Sequence, residues 1–204
     1  MIHILDYGLG NINAFLAMYK SLGVEVLLAT NEEELRDVEK LILPGVGAFD
    51  HAMELLDFCE IRQPLERLVL VDKVPVLGVC VGMQILASCS EEGDRTGLGW
   101  LDARVRKFNS TPSFSSLPMP HMGWNDVVSV HDSPLFRGIE FDAQFYFLHS
   151  YYFDCADVSN VAARADYGFS FDCAVHKDNI YGVQFHPEKS HHWGATLLKN
   201  FAEL

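Results

Sequence analysis

The 204-residue chain is short of positive charge, with 15 Lys and Arg against 28 Asp and Glu and a formal net charge of −13. A protein that neutralises nucleic-acid phosphates needs clustered cations. The densest group here is Arg104, Arg106 and Lys107 in one short alternating run, which reads as the solvated edge of a strand. Nucleic acid is therefore not an expected partner. Long apolar runs are missing as well. A membrane span needs about 18 or more apolar residues in succession, and the run from Leu68 to Val79 is broken by Asp72, Lys73 and Pro75. The opening Met1-Ile2-His3-Ile4-Leu5-Asp6 enters a strand pattern without the cationic start and small-residue cleavage site of a signal peptide, so the expected location is the cytoplasm, off the membrane. Cysteine is scarce and odd in number: Cys59, Cys80, Cys89, Cys155 and Cys173 form no Cys-x-x-Cys pair. That excludes a disulfide framework and a zinc knuckle. No internal repeat or low-complexity tract divides the chain.

What is present is a 49% hydrophobic sequence, long enough to bury roughly 70% of its unfolded surface without staples. One globular domain over 1–204 is the expectation. The first half alternates strand and helix. Ile2 to Tyr7 and Val24 to Ala29 read as strands around a helix from Asn11 to Leu22, whose apolar residues Ile12, Phe15, Leu16, Tyr19 and Leu22 recur at helical spacing and which Gly23 ends. Asn31 then caps a short acidic helix. Leu41-Ile42-Leu43 is a third strand, a helix lies around Met53 to Leu56, another precedes Pro75, and Val76-Leu77-Gly78-Val79 is a fully apolar strand. Continuous apolar strands between helices predict a three-layer α/β sandwich with a mostly parallel central sheet covered on both faces. The second half is β-rich, with runs at Val127 to Val130, Phe145 to Leu148, Val161 to Arg164, Phe171 to Val175 and Ile180 to Phe185. Asn109 to Pro120 is the least ordered-looking stretch, and Leu197, Leu198 and Phe201 suggest a C-terminal amphipathic helix after Gly194.

Chemistry concentrates in three places. Gly78-Val79-Cys80-Val81-Gly82 follows an apolar strand and precedes a helical pattern, as in the strand-turn-helix elbow that lifts a nucleophile above a sheet. A helix N-terminus beneath the sulfur favours the reactive thiolate. The plainer reading is a buried structural cysteine. Gln184-Phe185-His186-Pro187-Glu188 offers the base and orienter that a nucleophile needs. In extended chain, residues two apart share a side, which would bring the Glu188 carboxylate to the His186 ring; read alone, the pair is a surface histidine beside a solvated acid. Pro44-Gly45-Val46-Gly47 could expose backbone N–H groups for an oxyanion, with Val46 and Val81 as the candidate donors, or be a simple turn.

Taken together and in this order, these motifs resemble the triad-type, class I glutamine amidotransferases. Pro120 to Asn125 (PHMGWN), Phe147 to Tyr151 (FLHSY), Gln184 to Ser190 and the opening Asp6 to Asn11 (DYGLGN) are similar to those glutaminases that serve a synthase of histidine biosynthesis, and the likeness runs nearly end to end. The resemblance implies that Cys80 attacks the side-chain amide of glutamine, His186 relays the proton and Glu188 orients His186. It implies glutamine contacts at Gly47, Gln84, Glu92, His149, Ser150 and Tyr151. It further implies a (β/α)8-barrel partner that receives the ammonia and makes imidazole glycerol phosphate and aminoimidazole-carboxamide ribotide, met through Asn11, His121, Met122, Trp124, Asn125 and Lys189.

Val81 stands where the family more often has Leu, which a backbone donor tolerates. Trp100 and His191-His192-Trp193 look more like paralogues that supply ammonia for a surface-polysaccharide sugar. A non-catalytic scaffolding subunit and a γ-glutamyl peptidase are further readings; the intact Cys80, His186 and Glu188 speak against the first, and the Pro120 to Asn125 segment against the second. No cofactor is expected. Gly8-Leu9-Gly10 lacks the third glycine of a dinucleotide site, because position 13 is Asn13. His186, Glu188, His191 and His192 match no metal-ligand spacing. Cys59, Cys89, Cys155 and Cys173 read as small hydrophobes.

Overall fold

In a computed structural model that describes residues 1–108 and 117–204, the strands are β1 (Ile2–Leu5), β2 (Val26–Ala29), β3 (Leu41–Gly45), β4 (Val76–Cys80), β5 (Cys89–Ser90), β6 (Ala103–Lys107), β7 (His121–Asp126), β8 (Val128–Ser129), β9 (Gln144–His149), β10 (Tyr151–Cys155), β11 (Val161–Asp166), β12 (Ser170–Lys177) and β13 (Ile180–Val183). The helices are α1 (Ile12–Ser21), α2 (Phe49–Phe58), α3 (Arg62–Glu66), α4 (Val81–Gln84) and α5 (His191–Ala202).

Strands β2-β1-β3-β4-β13 pair in parallel in that order, and the sheet continues antiparallel through β12, β10 and β6 before β5 closes its edge. Every residue of β1, β3, β4 and β13 is buried, as expected of strands covered on both faces. The β1-to-β2 and β3-to-β4 connections run in opposite directions along the sheet. With right-handed crossovers, α1 and the α2–α3 segment therefore cover opposite faces. That reversal opens a crevice beyond the carboxyl ends of the parallel strands, where open α/β sheets take their ligands. A separate antiparallel ribbon, β7 with β9, stands beside it.

Several elements differ from the sequence reading for local reasons. Helix α5 begins at His191, not after Gly194; Gly194 lies inside the helix, at a position where a side chain would strike the Pro187 carbonyl. The helix before Pro75 is the short α3 followed by a π-helical turn, Arg67–Val71. The Asn31 side chain accepts from the Glu34 N–H at 3.1 Å, but the N-cap position falls on Glu32 and the element is a single 3-10 turn, Glu33–Leu35. The strand expected over Val127 to Val130 shrinks to β8. Strand β6 is interior to its sheet, with Arg106 ion-paired to Asp154 at 3.3 Å. Strands β7 and β10 had no β-branched alternation to announce them. Residues 109–116 of the expected loop lie outside the described residues. Of the four cysteines read as small hydrophobes, Cys173 is buried and Cys155 half-buried, whereas Cys59, just past α2, and Cys89, on the edge strand β5, are exposed.

The backbone crossing at Gly82 is one of the tightest approaches among the described residues. A Cβ on Gly82 would overlap the Leu43 carbonyl oxygen, one on Gly45 the Gly82 nitrogen, and one on Gly78 would lie 2.6 Å from the Gly82 oxygen. Strand β3, the end of β4 and the start of α4 thus touch backbone to backbone. Gly82→Ala is expected to cost about 3 kcal/mol or more, as overpacking that only backbone movement can relieve. Gly138→Ala adds the same methyl in open space at φ 71 and should cost only about 1 kcal/mol. Urea unfolding midpoints of the two variants measure the difference.

Candidate active site

Strand β4 ends on Cys80 and α4 starts one residue later, so the chain reverses direction on the cysteine itself. Cys80 has φ 56 and ψ −114, a conformation that costs a non-glycine residue about 1–3 kcal/mol. The crossing below leaves the chain no other path. Register places Gly45 directly beside Cys80 on one side, and Val183 beside Val79 on the other. The chain ends that leave β3, β4 and β13 therefore deliver Val46, Val81 and Gln184 to the same rim. Tyr7 lies beneath it, its hydroxyl donating to the Pro44 carbonyl at 2.7 Å. Burial, and then the charge on Cys80, push the Tyr7 phenol upward, so it stays a neutral donor to the Pro44–Gly47 turn.

His186 and Glu188 are buried together, with the ring Nδ1 2.9 Å from the carboxylate Oε1. The reach comes from a 3-10 turn, Pro187–Lys189, rather than from the continued extended chain that the sequence suggested. Ser190 fixes the turn: its hydroxyl donates to the His186 carbonyl at 2.6 Å and accepts from the Tyr146 N–H at 3.0 Å. Because Nδ1–H donates to the carboxylate, Nε2 is left to face the cleft that Cys80 also lines. Burial alone would lower the affinity of His186 for its second proton. The hydrogen bonds and charges of Cys80 and Glu188 outweigh it and hold the ring up to about 10, an imidazolium at neutral pH.

A cleft of about 310 Å³ opens over the sulfur, lined by Val46, Gly47, Val81, Gln84, Glu92, Ser150 and Tyr151, together with Cys80, His149, His186 and Lys189. Both expected oxyanion residues and all six expected glutamine contacts thus meet in one cavity of small-molecule size. Gly47, at φ 97, turns the chain after β3. Glu92 is held there because its carboxylate accepts from the Phe49 N–H at 2.8 Å, at the start of α2, while the Asp50 carboxylate takes the Asp94 and Arg95 N–H groups at 3.0 and 3.1 Å. Gln84 spends its amide hydrogens on the Tyr151 carbonyl (3.3 Å) and Gln184 Oε1 (3.0 Å), which leaves its own oxygen as an acceptor.

The expected partner residues separate by strand alternation. Met122 and Trp124 face outward, 64% and 45% exposed, beside Leu148 and Tyr146 of β9. His121 and Asn125 face inward. His121 is buried, so it cannot touch another molecule in this conformation, and Asn125 donates to the Asp166 carbonyl at 2.8 Å. Lys189 lies at the cleft with its ammonium 5.7 Å from the Tyr146 ring centroid. Asn11 is half-buried at the start of α1, next to Gly10, which presses on Pro44. Trp124 stacks on His191, with rings 7° from parallel and centroids 4.9 Å apart.

Two residues had gone unassigned. Gln184 donates to the Cys80 sulfur at 3.7 Å, and Tyr7 secures the Pro44–Gly47 turn. A fully buried Gln at the end of an apolar strand was the available signal for the first; nothing local marked the second. Among the described residues no three His, Cys, Asp or Glu side chains gather to hold a metal ion. A strained cysteine, a buried imidazolium against it and a carboxylate behind the ring can run acyl transfer from an amide through a thioester.

The profile "Glutamine amidotransferase class-I" matches residues 3–204. The chain is 57% identical over 204 residues, all of both proteins, to "Imidazole glycerol phosphate synthase subunit HisH" of Bdellovibrio bacteriovorus, and 53% identical over the same length to the protein of that name in Leptospira interrogans. It shares its fold with a solved structure described as "Crystal structure of glutamine amidotransferase", at TM-score 0.77 and 20% identity, covering 99% of this chain and 97% of that one. The chain belongs to the class-I glutamine amidotransferase family, among the relatives that carry the HisH name.

Proposed function

We propose that this protein is the glutaminase subunit of an imidazole glycerol phosphate synthase, releasing ammonia from L-glutamine for a (β/α)8-barrel subunit of histidine biosynthesis. The observation that carries the reading is that Cys80 and His186, the latter backed by Glu188, share one cleft with the six residues expected to contact glutamine, in a chain with full-length relatives of that name. The Cys80 thiolate attacks the carboxamide carbon. The Val46 and Val81 N–H groups meet the oxyanion, and His186 protonates the departing ammonia. Water, deprotonated by His186, then splits the γ-glutamyl thioester to give glutamate and free Cys80. The Gln84 oxygen and the second oxygen of Glu92 suit the substrate's α-ammonium.

The acceptor subunit sits, in this reading, on the outward face of β7 and β9. Met122, Leu148, Trp124 and Val46 form an exposed apolar rim continuous with the cleft, so ammonia released at Cys80 emerges under the partner rather than into solvent. The work is done in the cytoplasm, and the glutaminase stays slow until the partner and its nucleotide bind.

Glutamate release from glutamine, with the barrel subunit and its ribulosyl aminoimidazole-carboxamide nucleotide, is the test. Stimulated release that Cys80→Ala abolishes is expected; absence of any stimulation by that nucleotide would overturn the assignment. Glu188→Gln should lower the stimulated rate by about 10²–10⁴-fold. It should also move the His186 titration downward from about 10, because a cause that raises it is removed, and NMR of the ring reports that directly. Trp124→Ala is expected to weaken association with the barrel subunit by about 2 kcal/mol, about 30-fold in Kd, read by calorimetric titration.

A further inference from the structure

The inward face of β7 carries polar groups that neither the triad nor the partner face uses. His149 Nδ1 lies 2.7 Å from the Tyr151 carbonyl. A carbonyl only accepts, so Nδ1 bears the proton and, in the neutral ring, Nε2 is an acceptor. His121 Nδ1, 2.9 Å from that Nε2, must then donate, which leaves His121 Nε2 to accept from the Asn125 amide at 3.2 Å. The Asn125 oxygen is taken by the Asp126 N–H at 2.9 Å, confirming the orientation. From the other side, Gln84 donates to the same Tyr151 carbonyl and to Gln184, which donates to Cys80.

The chain therefore has one donor pattern from Asn125 to the sulfur, and it survives only if both rings stay neutral. They do. His121 is sandwiched between Phe147 and Tyr167, centroids 4.7 and 4.1 Å away, and burial holds it down to about 4. Burial, helped by the neighbouring His121 and His186, outweighs the Tyr151 hydrogen bond and holds His149 down to about 3. Reversing any link would leave a buried donor or acceptor unpaired.

We propose that His121 and His149 are positioning residues of the glutaminase reaction: as a proton-frozen neutral pair they fix the Tyr151 carbonyl and the Gln84–Gln184 amides that face Cys80, and so carry movement of the partner-facing strand β7 to the nucleophile. The idea rests on the proposed function. Its geometric basis is alternation, since Met122 and Trp124 on the outer face share one strand with His121 and Asn125 on the inner one, so that a shift of β7 would displace both sets.

The test uses the complex with the barrel subunit and nucleotide. His121→Phe keeps the ring volume and removes the donor; the stimulated kcat should fall about tenfold, with KM for glutamine within about twofold. His121→Asn restores a donor near the Nδ1 position and should recover the rate to within about threefold of the native protein. Asn125→Ala, at the outer end of the chain, covers the case in which His121→Phe does not fold and should lower kcat about threefold. In the native protein, ring 15N shifts should show both histidines neutral and protonated on Nδ1 down to about pH 5. A stimulated rate unchanged in His121→Phe or Asn125→Ala, or His149 protonated on Nε2, overturns the proposal. Native protein without stimulated glutamate release would overturn the functional reading instead, and is told apart because the ring tautomers report with no substrate present.

Discussion

The contact between the Gly82 backbone and the Leu43 carbonyl is the constraint on which the active site hangs. It lets the turn after β4 lie flat on β3, and that turn forces Cys80 into φ 56. Strain of about 1–3 kcal/mol at one residue is held by four strands, β1, β3, β4 and β13, buried along their whole length. The same contact sets Val46 beside Val81. Cys80 and the two residues proposed as oxyanion donors are therefore placed by one backbone crossing, and a single methyl at Gly82 would disturb both.

Around that fixed cysteine, charge is distributed by partner rather than by residue type. His186 and His149 both line the cleft and both are buried, so desolvation pulls each toward the neutral form. His186 has a carboxylate behind it and a sulfur in front, and becomes a cation. His149 has only a carbonyl and another histidine, and stays neutral. One ring can then move protons while the other keeps a hydrogen-bond direction, a division of labour set by the environments that push the two apart.

Much of this was legible in the sequence. The apolar strands flanked by helices gave the parallel half of the sheet, and Gly78-x-Cys80-x-Gly82 gave the elbow, because glycines are required where backbones touch. Strand β7 was invisible as a strand: Gly123 and the alternation of Met122 and Trp124 with His121 and Asn125 look like a motif, not like a core-facing pattern. For the same reason two residues assigned to an interface from their motif turned out to face inward; a motif says which residues matter, and only the pleat says which way they point. The Gly194 error was of the opposite kind, a glycine taken for a helix boundary when it served a close approach to Pro187. Tyr7 could not have been found, since its partner Pro44 is distant in sequence and nothing in Asp6-Tyr7-Gly8 signals a buried hydroxyl.

The claim that the fold makes one cysteine out of five a nucleophile toward a glutamine side chain is tested most directly by treating the protein with a chloroketone analogue of glutamine and mapping the adducts by peptide mass. A single adduct on the buried Cys80, with the exposed Cys59 and Cys89 unmodified, is the expected result. Adducts on Cys59 or Cys89 while Cys80 stays untouched would contradict the account.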